Sequence, residues 1–270
     1  MVSAKEMIIK VIPANVANDF IKKCHYSGKV VNNSQVHFGA FLNGHLHGVI
    51  SLGPSLDKSK IIGLVNNTKW NEFIELNRLA FDESLPKNSE SRAISIVMKL
   101  LKKNAPHLKW VISFADATQC GDGAIYRASG FNLIGIKENN RLLKMPDGYI
   151  THGINLTRRG SCNVSKKYNP HQLSEHQIVK ELGAEYLPGY QIKYIYFLDK
   201  SKIPDLTVPI LPFKTINDMG AGMYLGIPKE KSALVVHNVS TPVIQTGEGG
   251  SIPTPTHTNN NINMEYIDND

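Results

Sequence analysis

The sequence predicts a mixed α/β fold, in which helices cover both faces of one central sheet. Apolar strand-like runs alternate with helical patterns over residues 1–136, in the order β-α-ββ-β-α-β-α-β. Two of these strands are separated only by Asn43-Gly44, which is typical of an antiparallel hairpin. Because strands joined through a helix usually run parallel, the two kinds of connection together predict a sheet of mixed direction.

The first half of the pattern centres on this hairpin. A short apolar strand over residues 7–12 precedes a helix over residues 14–23. A polar loop then leads to the hairpin strands at residues 36–42 and 45–52. Asn and Gly suit the turn because both of its central residues need positive φ. Residues 73–81 form the next predicted strand.

The second half begins with a long helix over residues 89–103, the clearest helical signal in the chain. Its buried stripe consists of Ile94, Val97, Met98 and Leu101. The remaining predictions are a buried strand at residues 110–115, a short helix at residues 123–128 ended by Gly130, and strands at residues 131–136 and 190–198.

The chain is basic, with a net charge of +7. Residues 236–270 contribute −4, so the preceding residues carry +11. Such a charge attracts polyanions, which leaves open both a nucleic-acid partner and a basic protein without one. No apolar stretch is long enough to span a membrane and no signal peptide is evident, so we expect a cytoplasmic protein with no membrane partner. The three cysteines, Cys24, Cys120 and Cys162, suggest neither a disulfide framework nor a zinc site.

The domain organisation follows from composition. We expect a catalytic domain over residues 1–200 and a C-terminal extension over residues 201–235 that packs on it. Residues 236–270 are rich in Thr, Pro, Gly and Asn and are expected to be disordered.

Several local sequences resemble known families. The segment from Ala124 to Phe131 is similar to the last core helix of GNAT acyltransferases, although residues 83–92 lack the glycines of their pyrophosphate loop. A sharper resemblance is to the Mom family of phage DNA-modification proteins, which have a GNAT-like core. It is carried, in order, by His25-Tyr26-Ser27, Glu75-Leu76-Asn77-Arg78-Leu79, Asn88-Ser89-Glu90-Ser91-Arg92, Ser113-Phe114-Ala115-Asp116, Gly121 and Ile125-Tyr126.

This resemblance implies an enzyme that transfers a methylcarbamoyl (glycinamide-like) group to N6 of adenine in double-stranded DNA and so protects phage DNA from restriction. The alternative is a GNAT N-acetyltransferase that uses acetyl-CoA to acetylate a small amine or a protein, and a third possibility is a non-catalytic DNA-binding protein. The donor is left open between acetyl-CoA, a glycyl donor such as an aminoacyl-tRNA and another small molecule. An iron requirement is also left open, because no clear metal-ligand set is visible. The oligomeric state is open, with a dimer as one option.

Five residues are expected to carry the chemistry. The N6 amine must lose a proton as it attacks, and a carboxylate at the end of a sheet strand suits that role, so Asp116 is the expected base. Tyr126 is expected to protonate the leaving group or to orient the donor, and Arg78 to hold a carbonyl, a phosphate or Asp116. His25 and Tyr26 are expected to stack on an extruded base, although His25 could instead bind a metal or shuttle protons.

Four of these residues also have a structural alternative. Asp116 could cap the following turn, Tyr126 could be a core tyrosine, and His25 could simply favour a helix end. An ion pair of Arg78 with Glu75 is disfavoured, because residues three apart on a regular strand point to opposite faces.

Binding residues are expected in two further places. Asn88, Ser91 and Arg92, at the start of the long helix, would bind the donor through side chains and backbone amides, although Asn88 or Ser89 could instead cap that helix. The basic residues Arg158, Arg159, Lys166 and Lys167 would follow the DNA backbone. His45 and His47 resemble a metal pair on one strand face, but paired histidines at a hairpin are more often surface residues.

Overall fold

The computed structural model describes residues 3–157 and 163–229. The predicted disordered tail and the basic residues Arg158 and Arg159 lie outside the described residues. No helix among the described residues is long and apolar enough to cross a membrane.

The helices and strands have the following bounds. The helices are α1 (Ala14–Cys24), α2 (Lys58–Ile62), α3 (Ser89–Asn104), α4 (Ala124–Ala128), α5 (Gly153–Thr157), α6 (Asn163–Tyr168), α7 (Glu175–Leu182) and α8 (Thr215–Asp218), with 3₁₀ turns at Ala4–Glu6 and Lys200–Asp205. The strands are β1 (Ile8–Val11), β2 (Val36–Leu42), β3 (His45–Gly53), β4 (Phe73–Phe81), β5 (Trp110–Asp116), β6 (Asn132–Asn139), β7 (Leu142–Lys144), β8 (Ile150–His152), β9 (Glu185–Tyr186), β10 (Gly189–Phe197), β11 (Met223–Tyr224) and β12 (Ile227–Pro228).

A seven-stranded sheet in the order β1-β2-β3-β4-β5-β10-β6 forms the centre of the fold. Its neighbouring strands run antiparallel except for β4 and β5, which run parallel. The hairpin turn has positive φ at both Asn43 and Gly44, as the sequence predicts. The mixed α/β sheet is therefore confirmed.

Helices cover both faces of this sheet. On one face, Ile94, Val97 and Met98 of α3 are fully buried in the largest apolar cluster. On the other face, Ala17 and Ile21 of α1 pack against the sheet. Complete burial of an aliphatic side chain contributes about 1.5–3 kcal/mol, so the apolar stripes of these helices hold the layers together.

The sheet splits between its two parallel strands. β4 and β5 are paired only from Phe73 opposite Trp110 to Leu76 opposite Ser113. Beyond that point, β4 continues beside β3 and β5 continues beside β10. The hydroxyl of Ser113 donates a 2.9 Å hydrogen bond to the carbonyl of Leu76, where the strands part. The result is a gap through the sheet, next to the C-terminal end of β5.

An insertion between β6 and β10 builds one wall of this region. β8, β7 and β9 form a separate three-stranded sheet, which packs with α5 and α7 around a small core of its own. That core buries Leu143, Met145, Leu156, Ile178 and Ala184. Sequence patterns do not reveal this sheet, because its strands are only two or three residues long.

The C-terminal extension contacts the loop between β5 and α4. The hairpin of β11 and β12 exchanges backbone hydrogen bonds with it, from Asp122 to Met223 (3.2 Å) and from Gly226 to Cys120 (2.7 Å). The buried carboxylate of Asp122 accepts hydrogen bonds from Arg127 at 2.9 Å and from Lys229 at 2.6 Å. We call this contact, formed by Asp122, Arg127, Lys229 and the hairpin, the C-terminal clamp.

Candidate active site

A cavity of about 310 Å³ opens at the split, on the α1 face of the sheet. Arg78 comes from β4 and Asp116 from the end of β5, while Tyr26 comes from the loop after α1. Leu76 and Ala115, which belong to the apolar cluster on the α3 face, also line the cavity. The cavity therefore extends into the gap and reaches towards the opposite face of the sheet.

Asp116 is held by hydrogen bonds on both carboxylate oxygens. Oδ1 accepts from the backbone amides of Thr118 (2.9 Å) and Gln119 (3.3 Å). Oδ2 accepts from the hydroxyl of Tyr26 and from Nε2 of Gln119, each at 2.9 Å. Oδ1 therefore caps the turn that follows β5, as the structural alternative for Asp116 predicts. Oδ2 faces Tyr26 and presents a hydrogen-bond acceptor to the cavity.

Tyr26 presents its ring to solvent and its hydroxyl to Asp116. The residue is 49% exposed, and its ring lies 4.4 Å, centroid to centroid, from the ring of His25. Desolvation of the hydroxyl and the negative charge of Asp116 raise the pKa of Tyr26 well above its ordinary value. Tyr26 consequently stays protonated and acts as a hydrogen-bond donor to the carboxylate.

His25 is neutral in this environment. Its Nδ1 accepts a hydrogen bond from the backbone amide of Ser27 at 3.2 Å and lies 2.9 Å from the hydroxyl of Ser27. Burial, together with the positive charge of Arg78, lowers the pKa of His25 to about 4. The neutral imidazole therefore packs against the exposed ring of Tyr26, which lines the cavity, with the two ring planes tilted by 33°.

A bulge in β4 brings Glu75 and Arg78 to the same cavity. Arg78 pairs with Ser51 and Leu76 pairs with Leu52, which leaves Asn77 as the extra residue. The expectation that positions 75 and 78 point to opposite faces is therefore wrong, because the extra residue restores a two-residue spacing between them. Arg78 donates to the carbonyls of Lys29 and Asn77, each at 2.8 Å, rather than forming a hydrogen bond with Glu75.

Tyr126 lies across the split from this group. It is 7% exposed on α4, where its ring packs against Phe131 and Tyr194. Its hydroxyl interacts with Ser113, and burial raises its pKa to about 12. Since Ser113 lies where β4 and β5 part, this interaction puts the Tyr126 hydroxyl beside the gap, although its ring packs on the α3 face.

The predicted donor residues line a second cavity of about 660 Å³ on the α3 face. Asn88, Ser91 and Arg92 are joined there by Lys5 and Lys87. The capping alternative is wrong for this helix: Asn88 adopts φ 70° and makes no side-chain cap, and the Ser89 hydroxyl donates to the carbonyl of Pro86 instead. The amides of Glu90 and Ser91 have no hydrogen-bond partner within residues 3–157 and 163–229.

The predicted DNA-binding residues that the structure describes lie on the insertion. Lys166 and Lys167 are in the last turn of α6. Lys167 is already engaged, since its Nζ lies 3.5 Å from Asp147 and donates to Tyr168.

Metal ligands show no grouping in the part of the chain that the structure describes. No three His, Cys, Asp or Glu side chains there lie close enough together to hold a metal ion. His47 is hydrogen-bonded to Asp82 at 2.9 Å, and the rings of His45 and His47 are 6.4 Å apart.

Three polar cavity residues escape sequence reasoning. Asn139 ends β6, His152 ends β8 in the insertion, and Gln191 lies opposite Asp116 on β10. No local sequence pattern identifies these three residues as part of a site. Gln191, for example, reaches the cavity only because β10 lies between β5 and β6 in the sheet.

The fold and the cavity together define a class: a mixed α/β protein with a carboxylate, a tyrosine and an arginine gathered where two parallel strands part. The family model of the Mom protein family matches residues 6–215, and the chain belongs to this family. Methylcarbamoylase mom of Escherichia phage Mu is 34% identical over 201 residues, which is 73% of this chain and 78% of that protein.

Solved structures give weaker similarities. The ribosomal-protein-S18-alanine N-acetyltransferase of Escherichia coli has a TM-score of 0.39 at 12% identity, over 72% of this chain and 94% of that one. A GNAT family acetyltransferase of Elizabethkingia anophelis with acetyl-CoA bound also has a TM-score of 0.39 at 12% identity, over 71% of this chain and 98% of that one. These TM-scores are too low to establish the fold. The fold class is therefore assigned from the order and direction of the strands in the sheet.

Proposed function

We propose that the protein transfers a methylcarbamoyl (glycinamide-like) group to N6 of adenine in DNA. The observation that carries this proposal is the contact of Tyr26 with Asp116 in a cavity at the split of the sheet. The name of the phage Mu relative, a methylcarbamoylase, supports the nature of the transferred group. Membership of the Mom family, whose resemblance implies modification of adenine in DNA, supports adenine as the acceptor.

Asp116 is the proposed acceptor of the N6 proton. The lone pair of N6 is delocalised into the adenine ring, so the amine becomes a competent nucleophile only as its proton leaves. The two backbone amides on Oδ1 fix the carboxylate, while Oδ2 faces the cavity. Tyr26 donates to Oδ2, and we infer that N6–H replaces or joins this hydrogen bond when adenine enters.

The acceptor reaches the cavity only if the base leaves the duplex stack. Enzymes that modify a base atom in DNA extrude the nucleotide and stack it on aromatic or apolar side chains. The half-exposed ring of Tyr26 with the neutral imidazole of His25 provides such a surface. Lys166 and Lys167, with Arg158 and Arg159, remain the proposed contacts to the duplex backbone.

The donor is proposed to bind on the opposite face. The unpaired amides at the start of α3, together with Lys5, Lys87 and Arg92, attract an anionic group. Asn88 and Ser91 line the same cavity. Tyr126, whose hydroxyl interacts with Ser113 where the strands part, is proposed to return a proton to the leaving group of the donor. With a pKa of about 12 it holds that proton at neutral pH.

The test is the nucleoside composition of DNA from bacteria that express the protein. Genomic DNA is digested to nucleosides, and the deoxyadenosine fraction is examined by mass spectrometry. Wild type, Asp116→Asn and the matched control Asp19→Asn, an exposed acid on α1, are compared at equal protein levels.

The expected result is a new N6-substituted deoxyadenosine in wild type and control, with a loss of at least tenfold in Asp116→Asn. Unmodified deoxyadenosine in cells with folded wild-type protein would overturn the proposal and favour the acetyltransferase alternative, which binding of acetyl-CoA and acetylation of amines would then examine.

A further inference from the structure

A row of polar residues crosses the sheet from the candidate site towards its edge. Gln191 lies opposite Asp116 on one side and opposite Lys137 on the other. Lys193 lies opposite Phe114 in the next row. Because successive strand residues alternate between faces, these five side chains share the α1 face of the sheet, on which the cavity opens.

Lys137 and Lys193 are strand neighbours of residues that line the cavity. Phe114, Asp116 and Gln191, their neighbours across the strands, all line the cavity. In the register, Lys193 is diagonal to Lys137, within reach of long side chains. Lys137 is two strand spacings, roughly 10 Å, from Asp116. One nucleotide can bridge that span between its base and its phosphate.

Lys137 and Lys193 are both unpaired within the part of the chain that the structure describes. Neither forms an ion pair or a hydrogen bond with any residue in 3–157 or 163–229, whereas nearby Arg141 is paired with Glu175 at 3.1 Å. Lys193 is only partly exposed. Burial and the charge of Lys137 lower the pKa of Lys193, as expected for a partly buried amine beside a like charge.

We propose that Lys137 and Lys193 bind the DNA phosphate next to the adenine that occupies the cavity. This inference rests on the proposed function. It adds two phosphate contacts beside the site to the backbone contacts proposed for Lys166 and Lys167 on the insertion. The anion is a phosphate of DNA rather than of the donor, because the proposed donor cavity lies on the α3 face and the lysines lie on the α1 face.

The two contacts also explain how a flipped nucleotide stays in place. Phosphate contacts set the position of a nucleic acid without reading its sequence. Two lysine contacts to the phosphate beside the cavity would hold the extruded base against Tyr26 while Asp116 accepts the N6 proton. The expected effect of its loss is therefore weaker binding that is the same for all sequences.

The experiment measures DNA binding by fluorescence anisotropy over a range of salt concentrations. Wild type, Lys137→Gln/Lys193→Gln and the charge-matched control Lys102→Gln/Lys103→Gln are compared; the control lysines are exposed at the end of α3. The probe is a 20-base-pair duplex with one adenine opposite an abasic site, which favours its extrusion. A second duplex carries an uncharged methylphosphonate beside that adenine.

The double variant should reduce the slope of log affinity against log salt by about 1 to 2, since each phosphate contact contributes about 0.9. The control should keep the wild-type slope. The methylphosphonate should weaken binding by wild type and have no further effect on the double variant. A double variant with the wild-type slope, or a wild type that does not bind DNA, would overturn the inference.

The nucleoside measurement separates this inference from the proposed function. If the slope falls as expected but wild-type cells contain no modified deoxyadenosine, the lysines bind DNA and the proposed reaction is wrong. If deoxyadenosine is modified and the slope is unchanged, the reaction stands and the lysine contacts do not.

Discussion

The hydroxyl of Tyr26 donates a 2.9 Å hydrogen bond to Oδ2 of Asp116, although 90 positions separate the two residues in the chain. The contact joins the loop after α1 to the end of β5, at the mouth of the cavity. It gives the carboxylate one defined direction before any substrate binds. The position of the loop and the orientation of the proposed base are therefore coupled.

Removal of the Tyr26 hydroxyl should slow the proposed reaction without unfolding the protein. A hydrogen bond to a charged group contributes about 1.5–3 kcal/mol, so Tyr26→Phe should lower the rate by about 10- to 100-fold if the pair acts in the transition state. The measurement is the amount of modified deoxyadenosine in expressing cells. Ser201→Ala is the matched control, because that hydroxyl also donates to an aspartate, Asp199, but belongs to the exposed 3₁₀ turn at Lys200–Asp205. Equal loss in both variants would contradict a specific role for Tyr26.

Substitution of Arg78 by Lys should destabilise the loop that carries Tyr26. Arg78 donates to the carbonyls of Lys29 and Asn77, and an ammonium group cannot reproduce this forked geometry. A buried acceptor left without its donor costs about 1–3 kcal/mol, which urea unfolding would measure. Arg141→Lys provides the comparison, because its partner Glu175 remains reachable from a largely exposed position. A free energy of unfolding equal to that of wild type would refute the prediction.

The neutral state of His25 should make the protein less stable as the pH falls from 6.5 to 4. In the unfolded chain, His25 takes up a proton near the ordinary histidine pKa of 6.5, whereas the folded protein resists protonation until about pH 4. Acid in this window therefore favours the unfolded state, and above pH 6.5 the effect is absent. Thermal unfolding of wild type and His25→Gln between pH 4 and 8 tests this. The difference in Tm should shift in favour of the variant below pH 6.5, whereas His171→Gln, at an exposed histidine, should not show the shift.

Loss of the Asp122 carboxylate should destabilise the C-terminal clamp. The side chain of Asp122 is 2% exposed and faces the cations of Arg127 and Lys229. Burial by itself would raise the pKa of Asp122, but the hydrogen bonds and charges of Lys229 and Arg127 lower it below its ordinary value. Breaking a buried ion pair by removing one partner typically costs about 3–5 kcal/mol, so Asp122→Ala should lower the free energy of unfolding by an amount of that order.

The other side of the clamp offers a graded comparison. The side chain of Lys229 is 41% exposed, so Lys229→Gln should cost less than Asp122→Ala. Lys214→Gln, which removes an exposed pair with Asp218, should have almost no effect. A cost for Lys214→Gln equal to that for Lys229→Gln would show that the clamp has no special energetic role.

Much of the sheet can be predicted from the sequence, because its signals are local. The Asn43-Gly44 turn and the apolar stripe of α3 each need only a few neighbouring residues to be recognised. The three-stranded sheet of the insertion cannot be predicted in this way. Its strands β7, β8 and β9 depend on partners up to about forty residues away, and none is long enough to show alternation.

The candidate site is likewise only partly predictable from the sequence. Asp116 is predictable as a carboxylate at a strand end, and family resemblance adds Tyr26, Arg78 and Tyr126. The bulge at Asn77, which turns Glu75 and Arg78 to one cavity, leaves no mark in the sequence around it. Lys137 and Lys193 become neighbours only through the register of β10, which lies between β5 and β6.

The C-terminal clamp has a consequence for how the protein is divided or recombined. The family match ends at residue 215, yet Met223, Gly226 and Lys229 hold the loop that joins Asp116 to the helix of Tyr126. A chain cut at the family boundary would leave the buried Asp122 without Lys229. A hybrid that joins this core to the C-terminus of a relative would have to replace Lys229 with another cation at the same place. The boundary suited to such exchanges therefore lies after the second hairpin strand, beyond Lys229.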